Sequence, residues 1–120
     1  MQYAIICYNQ EAAVGTWSKE KDDAVMARHQ LVMQGLAARG KLGPVARLQP
    51  TTTATTIRSG NTKAIFDGPF AETKEQLLGF YIVDCENAEE AAAIAGQLVE
   101  PPGSMEIRPV RDFFDGGSAP

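Results

Sequence analysis

Apolar residues cluster along the chain with a period that switches between two and about three and a half, and the switches mark the elements. QYAIICY at 2–8 is a short run of β-branched and aromatic residues, the pattern of a buried strand. The following NQEAAVGTW holds neither period and reads as a loop. From Ser18 the longer period takes over: Val25, Met26, Val32, Met33 and Leu36 recur at three- and four-residue steps, which predicts a helix with one apolar stripe. Ser18 is its predicted N-cap, and Glu20, Asp22 and Asp23 set negative charge against the positive end of the backbone dipole. Arg39 and Gly40 supply a cationic last turn and a left-handed stop. The only histidine, His29, falls in the middle of the stripe.

Beyond Gly43-Pro44, VARLQP is strand-like. The alternating threonines of 52–58, then Ser59-Gly60-Asn61 and TKAIF, predict a β-hairpin whose turn holds the residues that tolerate positive φ. LLGFYIVD at 77–84 is the most apolar strand and carries apolar residues on both faces. NAEEAAAIAGQL at 87–98 predicts a helix capped by Asn87, with Glu90 in the capping-box position and Ala91, Ile94, Ala95 and Leu98 inward. After Pro101-Pro102-Gly103, SMEIRPV at 104–110 is the last strand.

The resulting order is β-α-β, a hairpin insertion, then β-α-β. It predicts a ferredoxin-like α+β sandwich (βαββαβ): an antiparallel sheet with two helices on one face and an inserted hairpin. Residues 1–112 form the single domain, and 113–120 a tail ordered as far as Phe113 and Phe114. Strand 2–8 sets Tyr3 and Ile5 on one face and Ile6 and Tyr8 on the other, so a face without helices would still be apolar. A homodimer that covers this face is therefore expected.

Composition narrows the function. At 120 residues and a formal net charge of −4, the chain lacks the basic surface that phosphate neutralisation demands, which argues against direct nucleic-acid binding. No apolar run approaches the roughly 20 residues of a membrane helix, and MQYAIICYNQ lacks the layout of a signal peptide, so a cytoplasmic protein is expected. Cys7 and Cys85 stand far apart and apart from His29, which points to buried reduced thiols and to no metal site. P-loop, dinucleotide, zinc-protease and serine-hydrolase motifs do not occur.

Candidate chemistry gathers around two places. His29 reads either as a core-edge histidine satisfied by backbone, or as a general acid or base. The second reading needs a partner, and Asp67 and Glu72 are the carboxylates on the loop that leads into strand 77–84. Asp67-Gly68-Pro69 is also ordinary turn chemistry, and Glu72, Lys74 and Glu75 also fit a solvated loop. In the functional reading Phe70 and Tyr81 form an apolar wall, and Lys74 or Arg47 meets an anionic group on a small molecule.

TATTIR at 53–58, DGPFAETKEQLLGFYIVD at 67–84, the helix opening NAEEA and MEIRPV at 105–110 together resemble the DGPF-domain subgroup of the YCII-related proteins. The resemblance covers nearly the whole chain. It implies a dimeric ferredoxin-like fold and an acid/base pair of His29 and Asp67 in a cleft, with no cofactor. It also implies a lyase-like or dehydrochlorinating activity of the kind some relatives carry. The other reading it implies is a non-enzymatic ligand- or partner-binding module, with a sigma factor as partner.

Overall fold

In the computed structural model, which describes residues 1–60 and 64–117, the run QYAIICYN forms strand β1 (Gln2–Asn9). A single helical turn, α1 (Glu11–Val14), leads to the long helix α2 (Lys19–Ala38) and edge strand β2 (Leu42–Arg47). A 3-10 turn at Thr51–Thr53 precedes the hairpin β3 (Thr55–Arg58) and β4 (Ala64–Asp67). Strand β5 (Gln76–Asp84), helix α3 (Ala88–Leu98) and strand β6 (Ser104–Pro109) complete the chain.

Four strands make the main sheet in the order β2-β5-β1-β6, and every neighbouring pair is antiparallel. This is the ferredoxin-like arrangement that the alternation of periods predicts, with β3 and β4 set apart as their own two-stranded sheet. Register decides what the helices see. Ile5 lies opposite both Tyr81 and Ile107, and Tyr3 opposite Val83, so these side chains share the helix-covered face. There they join Leu36 of α2 and Ala91, Ile94, Ala95 and Leu98 of α3 in one core. On the other face Ile6 pairs with Phe80 and Ala4 with Ile82, and no described element covers them.

The helix boundaries follow their caps. The Ser18 Oγ accepts from the Lys21 N–H at 3.1 Å, and the Asn87 Oδ1 from the Glu90 N–H at 2.9 Å. Each satisfies a first-turn donor that no helical carbonyl reaches. Gly40 takes φ +69° at the end of α2, the stop its sequence predicts.

Three details differ from the sequence reading. The segment after β1 is not all loop, because tertiary bonds hold α1: the Glu11 N–H donates to the Gln76 side chain at 2.9 Å, and its carboxylate accepts from the Thr51 N–H at 3.0 Å. Strand β2 starts before Gly43-Pro44, since an edge strand tolerates a missing donor and the register shifts between Leu42 and Val45. The first threonines turn rather than extend. The hairpin turn expected at Ser59-Gly60-Asn61 ends at a residue outside the described ones, as does the end of the tail at 118–120.

Candidate functional site

Where α2 crosses the end of the sheet, the core opens into a cavity of about 190 Å³. Val25, Met26 and Met33 of α2 form its roof; Cys7, Val45, Leu78 and Tyr81 of the sheet face them, and Arg47 and Glu100 stand among the charged lining groups. Gly79 makes this space and its edge together. A Cβ there would overlap the Ala46 carbonyl oxygen and stand 3.2 Å from the Arg47 Cα, so β2 lies against β5 only because residue 79 has no side chain. Asn9, buried at the end of β1, fixes the opposite rim by donating to the Glu100 carbonyl at 3.1 Å and accepting from the Gln10 N–H at 2.8 Å.

His29 and Tyr81 form the polar centre of this apolar space. The His29 Nε2 lies 2.8 Å from the Leu98 carbonyl oxygen, and Nδ1 lies 2.8 Å from the Tyr81 hydroxyl. A carbonyl only accepts, so Nε2 carries the proton, which leaves Nδ1 of the neutral ring to accept from the Tyr81 O–H. The two rings meet edge to face with centroids 6.0 Å apart. The origin of this contact is simple periodicity. Tyr81 points to the helix face with Tyr3 and Ile5, and His29 sits on the inward stripe between Val25 and Met33.

Burial sets the charge state of the site. It is the leading cause that lowers the His29 pKa from 6.5, helped by Arg28 and Arg47 and opposed by the Leu98 bond and Glu100. Burial also pushes the Tyr81 hydroxyl up to about 12 and the Cys7 thiol up to about 11. All three groups are therefore neutral at physiological pH. At the rim the Glu100 carboxylate meets Arg28 at 2.7 Å and Lys21 at 3.8 Å, while Arg47 meets Asp22 at 3.4 Å.

The lowered His29 value has a consequence for stability. The unfolded chain takes up a proton at His29 as pH falls through 6.5, and the folded chain does so only at lower pH. Stability due to His29 is thus complete above 6.5 and is lost as pH falls through the folded value. Urea denaturation between about pH 7 and pH 5 should show stability rising with pH, and His29→Gln should flatten part of that slope. An unchanged slope would contradict the burial of the ring.

Of the residues singled out from sequence, His29, Arg47 and Tyr81 line this one cavity; Asp67, Phe70, Glu72 and Lys74 do not. Asp67 ends β4, opposite Thr55, and is exposed, as are Phe70, Glu72 and Lys74 on the loop that follows. Within this chain His29 and Asp67 make no bond, because both ring nitrogens are engaged by Tyr81 and Leu98. The physical reason is that β3 and β4 pair with each other and leave the main sheet, so nearness in sequence to β5 does not carry Asp67 under α2. Tyr81, read as wall, is instead the histidine's partner. The Leu98 carbonyl escaped notice because a backbone acceptor has no sequence signal, whereas Cys7 and Met26 were visible only as core. Among the described residues no three His, Cys, Asp or Glu side chains stand together as a metal-binding group. No described helix is long and apolar enough to cross a membrane.

The family model described as YCII-related domain matches residues 1–114. An uncharacterised protein of Rhizobium meliloti (strain 1021) is 50% identical over 120 residues, a match that covers 97% of each chain.

Proposed function

The chain belongs to the YCII-related family, and from that premise we propose that it is a cytoplasmic small-molecule enzyme whose acid/base centre is the His29–Tyr81 pair. The DGPF stretch at 67–70 supports reading it as a member of the subgroup of that name. The observation that carries the reading is the 2.8 Å hydrogen bond from the Tyr81 hydroxyl to His29 Nδ1 in a largely apolar cavity. Buried polar groups with no role in a core are costly, and a neutral base next to open space is what proton abstraction needs.

The chemistry follows from the hydrogen-bond directions. The Tyr81 oxygen donates its proton toward Nδ1 and keeps lone pairs for an acidic O–H, N–H or C–H of a ligand. As that ligand proton moves to the Tyr81 oxygen, the Tyr81 proton moves to Nδ1. Tyrosine is neutral before and after, so the unfavourable tyrosinate is never formed, and the charge ends on an imidazolium that donates to Leu98 and Tyr81. Arg47 at the rim then faces the anion left on the ligand. A cavity of about 190 Å³ suits a ligand of roughly one ring, since a dry cavity of about 150 Å³ holds benzene.

A thermal-shift screen of compact ring compounds with one ionisable group tests this, because a ligand that binds only the folded state raises the melting temperature. Compounds that stabilise the wild type should lose at least about tenfold in affinity by calorimetry with Tyr81→Phe or His29→Gln, corresponding to one charge-assisted hydrogen bond. Equal affinity in both variants would overturn the assignment.

The protein is further read as working in pairs. Ile6, Phe80 and Ile82 lie on the sheet face that no described element covers, and Glu106 and Arg108 project from its β6 edge on the same side. An apolar centre with one anion and one cation at its border is complementary to itself under a two-fold axis.

A further inference from the structure

We propose that the β3–β4 hairpin is an arm that clasps a second copy of the chain. The arm leaves the main sheet, and its strands pack substantially only on each other. Ile57 and Ile65 lie directly opposite one another and are 64% and 71% exposed. Phe66 is 48% exposed on the other face, and Phe70 just beyond the hairpin is 75% exposed. A two-stranded hairpin is marginal in water unless a third element covers it. Four bulky side chains open to solvent in one projecting element are the mark of an interaction surface.

The area and the charges select a second copy as the occupant. Each arm offers on the order of 400–500 Å² of apolar surface, below what a specific complex needs; two arms exchanged about a two-fold axis reach about 1,000 Å². Every copy brings one arm and one uncovered sheet face, so the exchange leaves neither exposed. Among its described residues the arm carries Arg58 and Asp67, which match Glu106 and Arg108 at the border of that face. The radius of gyration, 16.1 Å against about 14 Å for a compact domain of this length, is that of a chain with parts set outside a compact body. The clasp rests on the pairing of uncovered faces proposed above and adds the arm as its grip. It also gives the DGPF loop a place: Phe70 and its charged neighbours belong to the shared surface rather than to the cavity of their own chain.

Sedimentation over a concentration series, with Ile57→Thr/Ile65→Thr and separately Arg108→Glu, tests the clasp. Both arm positions are exposed, so the variant keeps its fold, which circular dichroism checks. The expected result is a wild-type dimer, at least a thirtyfold weaker dissociation constant in the arm variant, and a weaker one in Arg108→Glu. A photo-crosslinker at position 65 in mixed isotope-labelled and unlabelled protein should join labelled to unlabelled chains. An arm variant within twofold of wild type, or links only within one chain, overturns the clasp while leaving the paired faces. A wild type that stays monomeric at every concentration overturns both.

Discussion

Gly79→Val is expected to lower the unfolding free energy by roughly 3 kcal/mol, although valine is the better strand former. The reason is local and steric. Residue 79 is buried where β5 lies between β1 and β2, opposite Cys7 and Arg47, and a Cβ there overlaps the Ala46 carbonyl oxygen. Backbone cannot step aside as a flexible side-chain end would, so β2 must separate from β5, and the cavity edge formed by Val45 and Arg47 goes with it. A loss of that size is a large share of the stability of an ordinary domain, about 5–15 kcal/mol. Gly96→Ala is the control: that glycine lies in α3 with nothing within 4 Å of its built Cβ, and the substitution should stabilise by about 0.5–1 kcal/mol. Guanidinium denaturation of both variants checks the contrast, and a Gly79→Val protein as stable as Gly96→Ala would contradict the packing.

Leu98→Ala should cost about 2–5 kcal/mol, because its side chain is fully buried between α3 and the sheet and its removal leaves a void. This substitution also reports on the site. The Leu98 carbonyl that holds His29 Nε2 belongs to the backbone and stays, whereas the side chain is packed in the core beside it. Burial is the leading reason that the His29 pKa lies below 6.5. Loosening the core beside it should therefore raise that pKa toward its ordinary value while the Nε2 bond persists. Chemical denaturation gives the first effect and an NMR titration the second. A destabilised variant whose histidine titrates as in wild type would place the ring outside the influence of the core.

The fold was legible in the sequence because its determinants are local. The short apolar runs of β1 and β5, the stripe of α2 and the caps at Ser18 and Asn87 are local signals, and each marks an element that forms as read. The elements that were misread are held by long-range bonds: α1 depends on Gln76 and Thr51, and the start of β2 depends on its place at the sheet edge. The site was half legible for the same reason. His29 was conspicuous as the only histidine and as a polar residue on an apolar stripe. Its partners were not, since Tyr81 looked like one more core aromatic and the Leu98 carbonyl is invisible to composition. Asp67 looked closer than it is because the chain runs from it into β5, but strand pairing, not chain order, decides that β4 turns outward with β3.

At the heart of the proposed function is His29 as a neutral base, held at Nε2 by Leu98 and presented through Tyr81 to the cavity. Long-range proton–nitrogen NMR of the His29 ring at neutral pH tests it most directly. The expected result is a ring protonated at Nε2 alone, a pKa below 6.5, and an Nδ1 resonance that moves in Tyr81→Phe while the Nε2 proton remains. A ring protonated at Nδ1, a charged ring, or an Nδ1 resonance indifferent to Tyr81→Phe would contradict it.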